Sequence, residues 1–113
     1  MKARIPNQNN MSRNDMMARF QKMQEDMAAK QAEVENSEFS ASAGGGAVEV
    51  KVNGKHEVLS VKMKPEVVDP EDIDMLEDLL IAALNESIRK ANETMEREMN
   101  AVTGGLNIPG LGL

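Results

Sequence analysis

The sequence predicts an α+β domain in which two long helices flank a small three-stranded antiparallel sheet, in the order α-β-β-β-α. Three observations carry this prediction. An apolar stripe with helical spacing comes first, short alternating segments with glycine turns follow, and a longer helical pattern comes last. At 113 residues the chain has room for one domain.

We divide the chain into three segments. Residues 1–11 are polar and rich in asparagine, which predicts a disordered N-terminal arm. Residues 12–105 contain all the periodic patterns and form the single α/β domain. Residues 106–113 are apolar and interrupted by glycine and proline, which indicates a C-terminal tail.

The first helix is expected from Ser12 to about Asn36. Ser12 is a suitable N-cap, and Asp15 stands at the third helical position as in a capping box. Lys30 takes the one stripe position that is not apolar. The apolar members of the stripe are Met16, Phe20, Met23, Met27 and Val34.

Three strands are expected over Glu38–Ala43, Ala47–Val52 and Val58–Lys64. Three consecutive glycines separate the first two strands, and Asn53-Gly54, a strong hairpin signal, precedes the third. A hairpin loop of two or four residues would put the valines of the second strand on the same face as the apolar residues of the third. A loop with an odd number of residues would not.

The second helix is expected to begin at Asp69-Pro70, with the carboxylate as N-cap, and to end at Gly104-Gly105. Such a helix is about 50 Å long at about 1.5 Å per residue. The sheet is only about 20 Å long at about 3.3 Å per residue. Much of the apolar helix face therefore lacks a partner in its own chain, which predicts a homodimer. The candidate core or dimer residues are Leu80, Leu84, Ile88 and Met95.

Composition excludes several classes of protein. Without cysteine the chain has neither disulfides nor thiolate metal sites. It has no apolar run of about 18 residues and no secretory signal, so we expect a cytoplasmic protein without a membrane partner. Aromatic residues make up only 2% of the chain, a poor supply for the core of a small domain, and this also favours an oligomer.

The charge is distributed unevenly. The net charge is −6, but residues 1–30 carry a net +3 and the remainder a net −9. The basic residues of the first helix are thus the best candidates for contact with DNA phosphates, although Asp15 and Asp26 stand at ion-pair spacing from some of them. The candidate DNA-binding residues are Arg13, Arg19, Lys22 and Lys30. The next candidates are Lys62, Lys64, Arg89, Lys90 and Arg97.

No pattern indicates a catalytic, cofactor or metal site. His56 is the single histidine, and we expect it in an exposed turn. The acidic cluster around Glu77 and Asp78 is expected to be a solvated helix face. The glycine run lacks the Lys-Ser/Thr and the helix that follow in a phosphate loop. We therefore expect no enzyme activity and no small-molecule substrate.

Taken together, several segments in a fixed order make the chain resemble the YbaB/EbfC family. They are Met16-Met17, Gln21 to Gln24, the glycines before Val48-x-Val50, Asn53-Gly54, Pro65 to Asp72, Met75 to Leu80, Ala82-Ala83-x-Asn85, Gly104-Gly105 and Pro109-Gly110. One departure is Lys64 before Pro65, where the family often has aspartate.

The resemblance implies a homodimer with a tweezer-like outline that binds double-stranded DNA in the bacterial nucleoid. It implies a role in nucleoid organisation or gene regulation, without catalysis or cofactor. The alternative hypothesis is a non-enzymatic protein–protein interaction or adaptor module whose DNA affinity is incidental.

Overall fold

The computed structural model describes residues 12–104, and the predicted order of elements is confirmed. The arm at 1–11, Gly105 and the tail at 106–113 lie outside the described residues. The chain forms α1 (Arg13–Glu35), β1 (Glu38–Ala43), β2 (Val48–Asn53), β3 (Val58–Met63), a 3-10 turn (Pro65–Val67) and α2 (Ile73–Val102).

Helix α1 begins as its capping pattern predicts. The Ser12 hydroxyl accepts a hydrogen bond from the Asp15 amide at 3.0 Å, which satisfies one of the free donors of the first turn. At the other end the Asn36 amide donates to Ala32 O. Of the described α1 side chains, only Val34 is fully buried, because only the last turns of the helix reach the sheet.

The sheet is antiparallel, with β2 in the centre. Strands β1 and β2 pair without interruption from Glu38↔Asn53 to Ala43↔Val48. The turn between them uses left-handed backbone at all three glycines, with φ of 64°, 66° and 92°. Residues with a side chain rarely adopt this backbone conformation, which explains why three glycines stand in the turn.

The hairpin between β2 and β3 differs from the prediction. Asn53 and Glu57 face each other across a loop of three residues, which is an odd number, and the Asn53 amide donates to Glu57 O. A bulge at Leu59 then adds one residue to β3, so that Val50 pairs with Val61 and Val48 with Met63. Val61 and Met63 therefore do share a face with the valines, but the bulge and not an even loop restores the register.

Helix α2 begins later than predicted. Asp72 is the N-cap, and its carboxylate accepts from the Met75 amide at 3.3 Å. Asp69, the predicted cap, instead accepts from the Glu71 amide at 2.9 Å in a turn that contains Pro70. Asp and Pro are both common in such turns, so they indicated the turn before the helix. The helix ends at Val102, with Thr103 as C-cap.

The core lies between α2 and the inner face of β1 and β2. Val48, Val50 and Val52 are fully buried, and the residues that α2 presents to them are small. Ala83, Ser87 and Ala91 stand at four-residue intervals on α2, so the helix approaches the sheet closely. The buried Ser87 hydroxyl is satisfied because it donates to Leu84 O at 2.9 Å.

Candidate nucleic-acid interface

The N-terminal half of α1 extends beyond the rest of the described chain. Helices α1 and α2 run antiparallel, and Lys30 of α1 meets Glu98 of α2 with 3.3 Å between Nζ and Oε1. From this contact α2 continues only to Val102, whereas α1 continues back to Arg13. At about 1.5 Å per residue, about 25 Å of α1 lies past the Lys30–Glu98 contact. Every residue from Ser12 to Lys22 is exposed.

Two of the predicted DNA-binding residues lie on this protruding segment without an ion pair to any described residue. They are Arg13 and Arg19, and both are exposed. Lys22 is also exposed but lies 3.7 Å from the Asp26 carboxylate, four residues along the same helix. An exposed pair of this kind is weak, at about 0.3–0.5 kcal/mol, and a phosphate could displace the aspartate. All three side chains are thus available to a polyanion.

Lys30 has a different environment from the other three. Its ammonium lies 3.2 Å from Glu33 and 3.3 Å from Glu98. Hydrogen bonds to these two carboxylates, with Glu33 the larger influence, raise the pKa of Lys30 above its usual value. The positive charge of Lys30 is therefore already neutralised by one carboxylate of its own helix and one of α2.

The other basic residues lie in less favourable surroundings. Arg89 forms ion pairs with Glu86 and Glu93 on the same helix. The two carboxylates, Glu86 first, raise the pKa of Arg89, and the hydrogen bond from Arg89 lowers the pKa of Glu86. Lys90 donates to Ser40 O of β1 at 2.7 Å. The remaining candidates are Arg97, which donates to the Thr94 hydroxyl, and Lys62 and Lys64, which line a shallow groove with Glu49 on the outer face of the sheet.

The described residues hold no cluster of potential metal ligands. Among residues 12–104, no three carboxylate or histidine side chains come together in a geometry that could hold a metal ion. His56 is exposed as expected, in a left-handed conformation at φ 69° in the hairpin loop. Glu77 and Asp78 are exposed on α2. No helix within the described part of the chain is long and apolar enough to cross a membrane.

A second surface is apolar and uncovered. Helix α2 lies over β1 and β2, and β3 is outside its footprint. Val61 and Met63 share the inner face with the buried valines, yet they are 41% and 43% exposed. Ile81 is 56% exposed, and at about 100° per residue it lies on the flank of α2 opposite Lys90, which contacts β1. We call this region the β3–α2 surface; it comprises Val61, Met63, Ile81, Leu84 and Ile88.

The structure divides the predicted core or dimer residues into three groups. Leu80 and Leu84 pack against the core cluster, and both are only partly buried. Ile88 is half-buried on the β3 flank of α2. Met95 is half-buried in the part of α2 that lies beside α1. Sequence reasoning missed Ile81, although its spacing of three and seven residues from Leu84 and Ile88 was an available signal.

These features define a class of protein: a small α+β domain with basic side chains at the protruding end of its first helix and an uncovered apolar surface. Residues 8–106 match the model of the YbaB/EbfC DNA-binding family. The chain belongs to this family, which is a family of nucleoid-associated DNA-binding proteins and not of enzymes. The resemblance seen in the sequence is confirmed.

Individual relatives agree with this assignment. A nucleoid-associated protein of Alkaliphilus metalliredigens (strain QYMF) is 60% identical over 98 residues, which cover 87% of this chain and 86% of that protein. One from Clostridium novyi (strain NT) is 52% identical over 101 residues, 89% of each chain. The crystal structure of an uncharacterized protein from Helicobacter pylori has the same fold, with a TM-score of 0.66 at 19% identity, over 87% of this chain and 100% of that one.

Proposed function

We propose that this protein binds double-stranded DNA as a homodimer in the cytoplasm, at the nucleoid, and contributes there to nucleoid organisation or gene regulation. The observation that carries the proposal is the protruding half of α1, where Arg13 and Arg19 are exposed and have no ion pair to a described residue. Membership of a DNA-binding family supports the nature of the ligand.

Charge distribution supports α1 as the contact surface. Residues 31–113 carry a net −9, so most of the protein repels a phosphate backbone. The protruding residues 13–22 of α1 carry three basic side chains and one acidic side chain, a net +2. Arg13, Arg19 and Lys22 lie beyond the end of α2 and so are remote from most of its acidic residues, which are Asp74, Glu77, Asp78, Glu86, Glu93, Glu96 and Glu98. DNA therefore meets least repulsion when it approaches the N-terminal half of α1.

The β3–α2 surface supports the homodimer. A row of apolar side chains on an inner sheet face is normally covered, and here β3 and the adjacent flank of α2 have no cover within residues 12–104. Two copies that met on this surface would each cover the other's β3. The two α1 helices would then project as a pair of arms, which agrees with the tweezer-like outline that the resemblance implies.

The contacts are expected to be few and directed at phosphates. Arg13 and Arg19 from two protomers provide about four charges, and each phosphate contact contributes a slope of about −0.9 to the salt dependence of binding. Raising the salt from about 50 to about 200 mM should then weaken binding on the order of a hundredfold. Sequence preference should be weak, because phosphate contacts position a protein without specifying bases.

The test is fluorescence anisotropy with a labelled duplex at these two salt concentrations. Arg19→Glu combined with Lys22→Glu should weaken binding to all sequences alike and flatten the salt slope. Lys30→Gln should change affinity far less, because Glu33 and Glu98 already neutralise this residue.

The matched control is Lys62→Glu combined with Lys64→Glu, which makes the same charge change on β3 and next to it. If only this variant loses affinity, the outer face of the sheet is the contact surface. If wild-type protein shows no affinity for duplex at low salt but retains a protein ligand at moderate salt, the adaptor hypothesis replaces the DNA-binding one.

A further inference from the structure

The apolar stripe of α1 becomes more exposed from the C-terminal end of the helix towards its N-terminal end. Val34 is 3% exposed, Met27 and Met23 are half-buried, and Phe20 and Met16 are 55% and 57% exposed. All five residues lie on one helix face, since their successive spacings are four, three, four and seven residues. The same face that packs against α2 near the sheet is thus bare at the protruding end.

The point at which the cover ends is the end of α2. Glu98 lies beside Lys30, and α2 stops at Val102, about 6 Å further along at 1.5 Å per residue. That position is level with about residue 26 of α1. Phe20 and Met16 lie about 9 and about 15 Å beyond it.

The chain continues from that same point with residues of suitable chemistry. Residues 105–113 begin three residues after Val102, the last residue of α2, and carry no charged side chain. An extended segment of nine residues spans about 30 Å, twice the distance to Met16. Helix α2 ends at Val102, before this segment begins. Its aliphatic residues are Leu106, Ile108, Leu111 and Leu113.

Other occupants fit this stripe less well. The N-terminal arm at residues 1–11 contains Lys2, Arg4 and four amide side chains, with few aliphatic groups to bury. A second copy of α1, packed stripe to stripe, would bring two Arg19 side chains together, because Arg19 lies on the edge of the stripe about 20° from Lys30. Like charges at such an interface are unfavourable.

We propose that residues 105–113 fold back along α1 of the same chain and cover Phe20 and Met16. The tail continues the packing that α2 provides as far as Met23, and it stabilises the protruding arm of α1. Arg13, Arg19 and Lys22 lie beside the stripe and stay accessible. The proposal does not depend on DNA binding.

A spin label tests the contact directly, because the chain has no cysteine and a single one can be introduced at Gly112→Cys. Methyl-labelled methionines report on its position by NMR. The signal of Met16 should broaden strongly, while Met75, on the first turn of α2, should keep its intensity. Equal intensities for Met16 and Met75 would overturn the proposal.

A mixed sample distinguishes the chains. Spin-labelled protein without methyl labels is combined with methyl-labelled protein that has no spin label. Under the proposal Met16 stays sharp in this mixture, because the tail and the stripe belong to one chain. Broadening of Met16 in the fraction of protein that forms mixed dimers would mean that the tail covers α1 of a second copy, which contradicts the proposal.

A substitution tests the energetic consequence. Replacing both Leu106 and Ile108 with serine should expose the stripe, and amide hydrogen exchange in residues 13–22 should become roughly tenfold faster. Asn107→Ser is the matched control and should leave exchange unchanged. If exchange in residues 13–22 is the same in both variants and in wild type, the tail does not stabilise α1.

Discussion

At the scale of single residues, Gly54 shows how closely α1 approaches the β2–β3 hairpin. Its amide donates to Glu35 O at 3.2 Å. A Cβ atom at this position would lie 2.1 Å from Val34 O, a backbone atom that cannot rotate away. The end of α1 and the hairpin loop therefore contact each other backbone to backbone, which sets the direction in which α1 leaves the sheet.

Gly54→Ala should consequently destabilise the protein. Either α1 or the hairpin must shift, and overpacking of this kind costs about 1–3 kcal/mol. Thermal and urea unfolding at a fixed protein concentration would measure the loss. Gly104→Ala is a suitable control, because nothing lies within 4 Å of its Cβ and its backbone is not in the left-handed region. Equal stability of Gly54→Ala and wild type would contradict the close contact.

At the scale of elements, the packing of α2 on the sheet depends on small side chains. Ala83 and Ser87 are fully buried against the valines of β2, whereas Ala82 on the adjacent face of α2 is exposed. A helix with larger residues at these positions could not approach the strands as closely. The long apolar face that the sequence shows is thus divided into a small-residue strip over the sheet and a flank of larger residues beside β3.

Ala83→Leu should therefore lower the free energy of unfolding by about 1–3 kcal/mol, because the added side chain has no space between α2 and the sheet. Ala82→Leu introduces the same residue on the exposed face of the helix and should change stability by less than about 0.5 kcal/mol. Urea unfolding of the two variants compares them directly. If Ala83→Leu is as stable as Ala82→Leu, the helix does not lie as close to β2 as these contacts indicate.

At the scale of the whole molecule, the surface proposed for dimerisation and the surface proposed for DNA binding are separate. Basic residues project at one end, on the protruding half of α1, and the uncovered apolar residues lie over β3 beside the sheet. A variant on one surface should thus leave the other intact. In a homodimer the arrangement doubles every phosphate contact without requiring more basic residues in a chain whose net charge is −6.

Ile81→Glu tests the proposed dimer without removing a core residue, since Ile81 is 56% exposed in the single chain. A carboxylate buried in the interface without a partner costs several kcal/mol, so dimerisation should weaken at least about a hundredfold. Sedimentation equilibrium at micromolar concentration would show the shift towards monomer. Ala82→Glu, next to it on the exposed face of α2, should stay dimeric. An unchanged dimer in Ile81→Glu would place the interface elsewhere.

Much of the architecture could be predicted from the sequence alone because its signals are local. Apolar spacing, the Ser12 cap and the glycine run each act within a few residues, and they predicted the type and order of both α-helices and all three strands, but not the 3-10 turn at Pro65–Val67. The ordered motifs were also sufficient to identify the family. The basic excess near the N-terminus marked α1 as the candidate site, and all four predicted residues lie on that helix.

Only the tertiary structure decided which of those residues is free, because the decisive contacts join distant parts of the chain. The charge pattern of the sequence does not distinguish Lys30 from Arg19. In the structure Lys30 forms an ion pair with Glu98 of α2, whereas Arg19 has no ion pair with a described residue. The uncovered β3 likewise follows from where α2 lies on the sheet. Periodicity in the sequence shows that one face of a helix or strand is apolar. Which part of that face is buried within the same chain depends on how the helices and strands pack together.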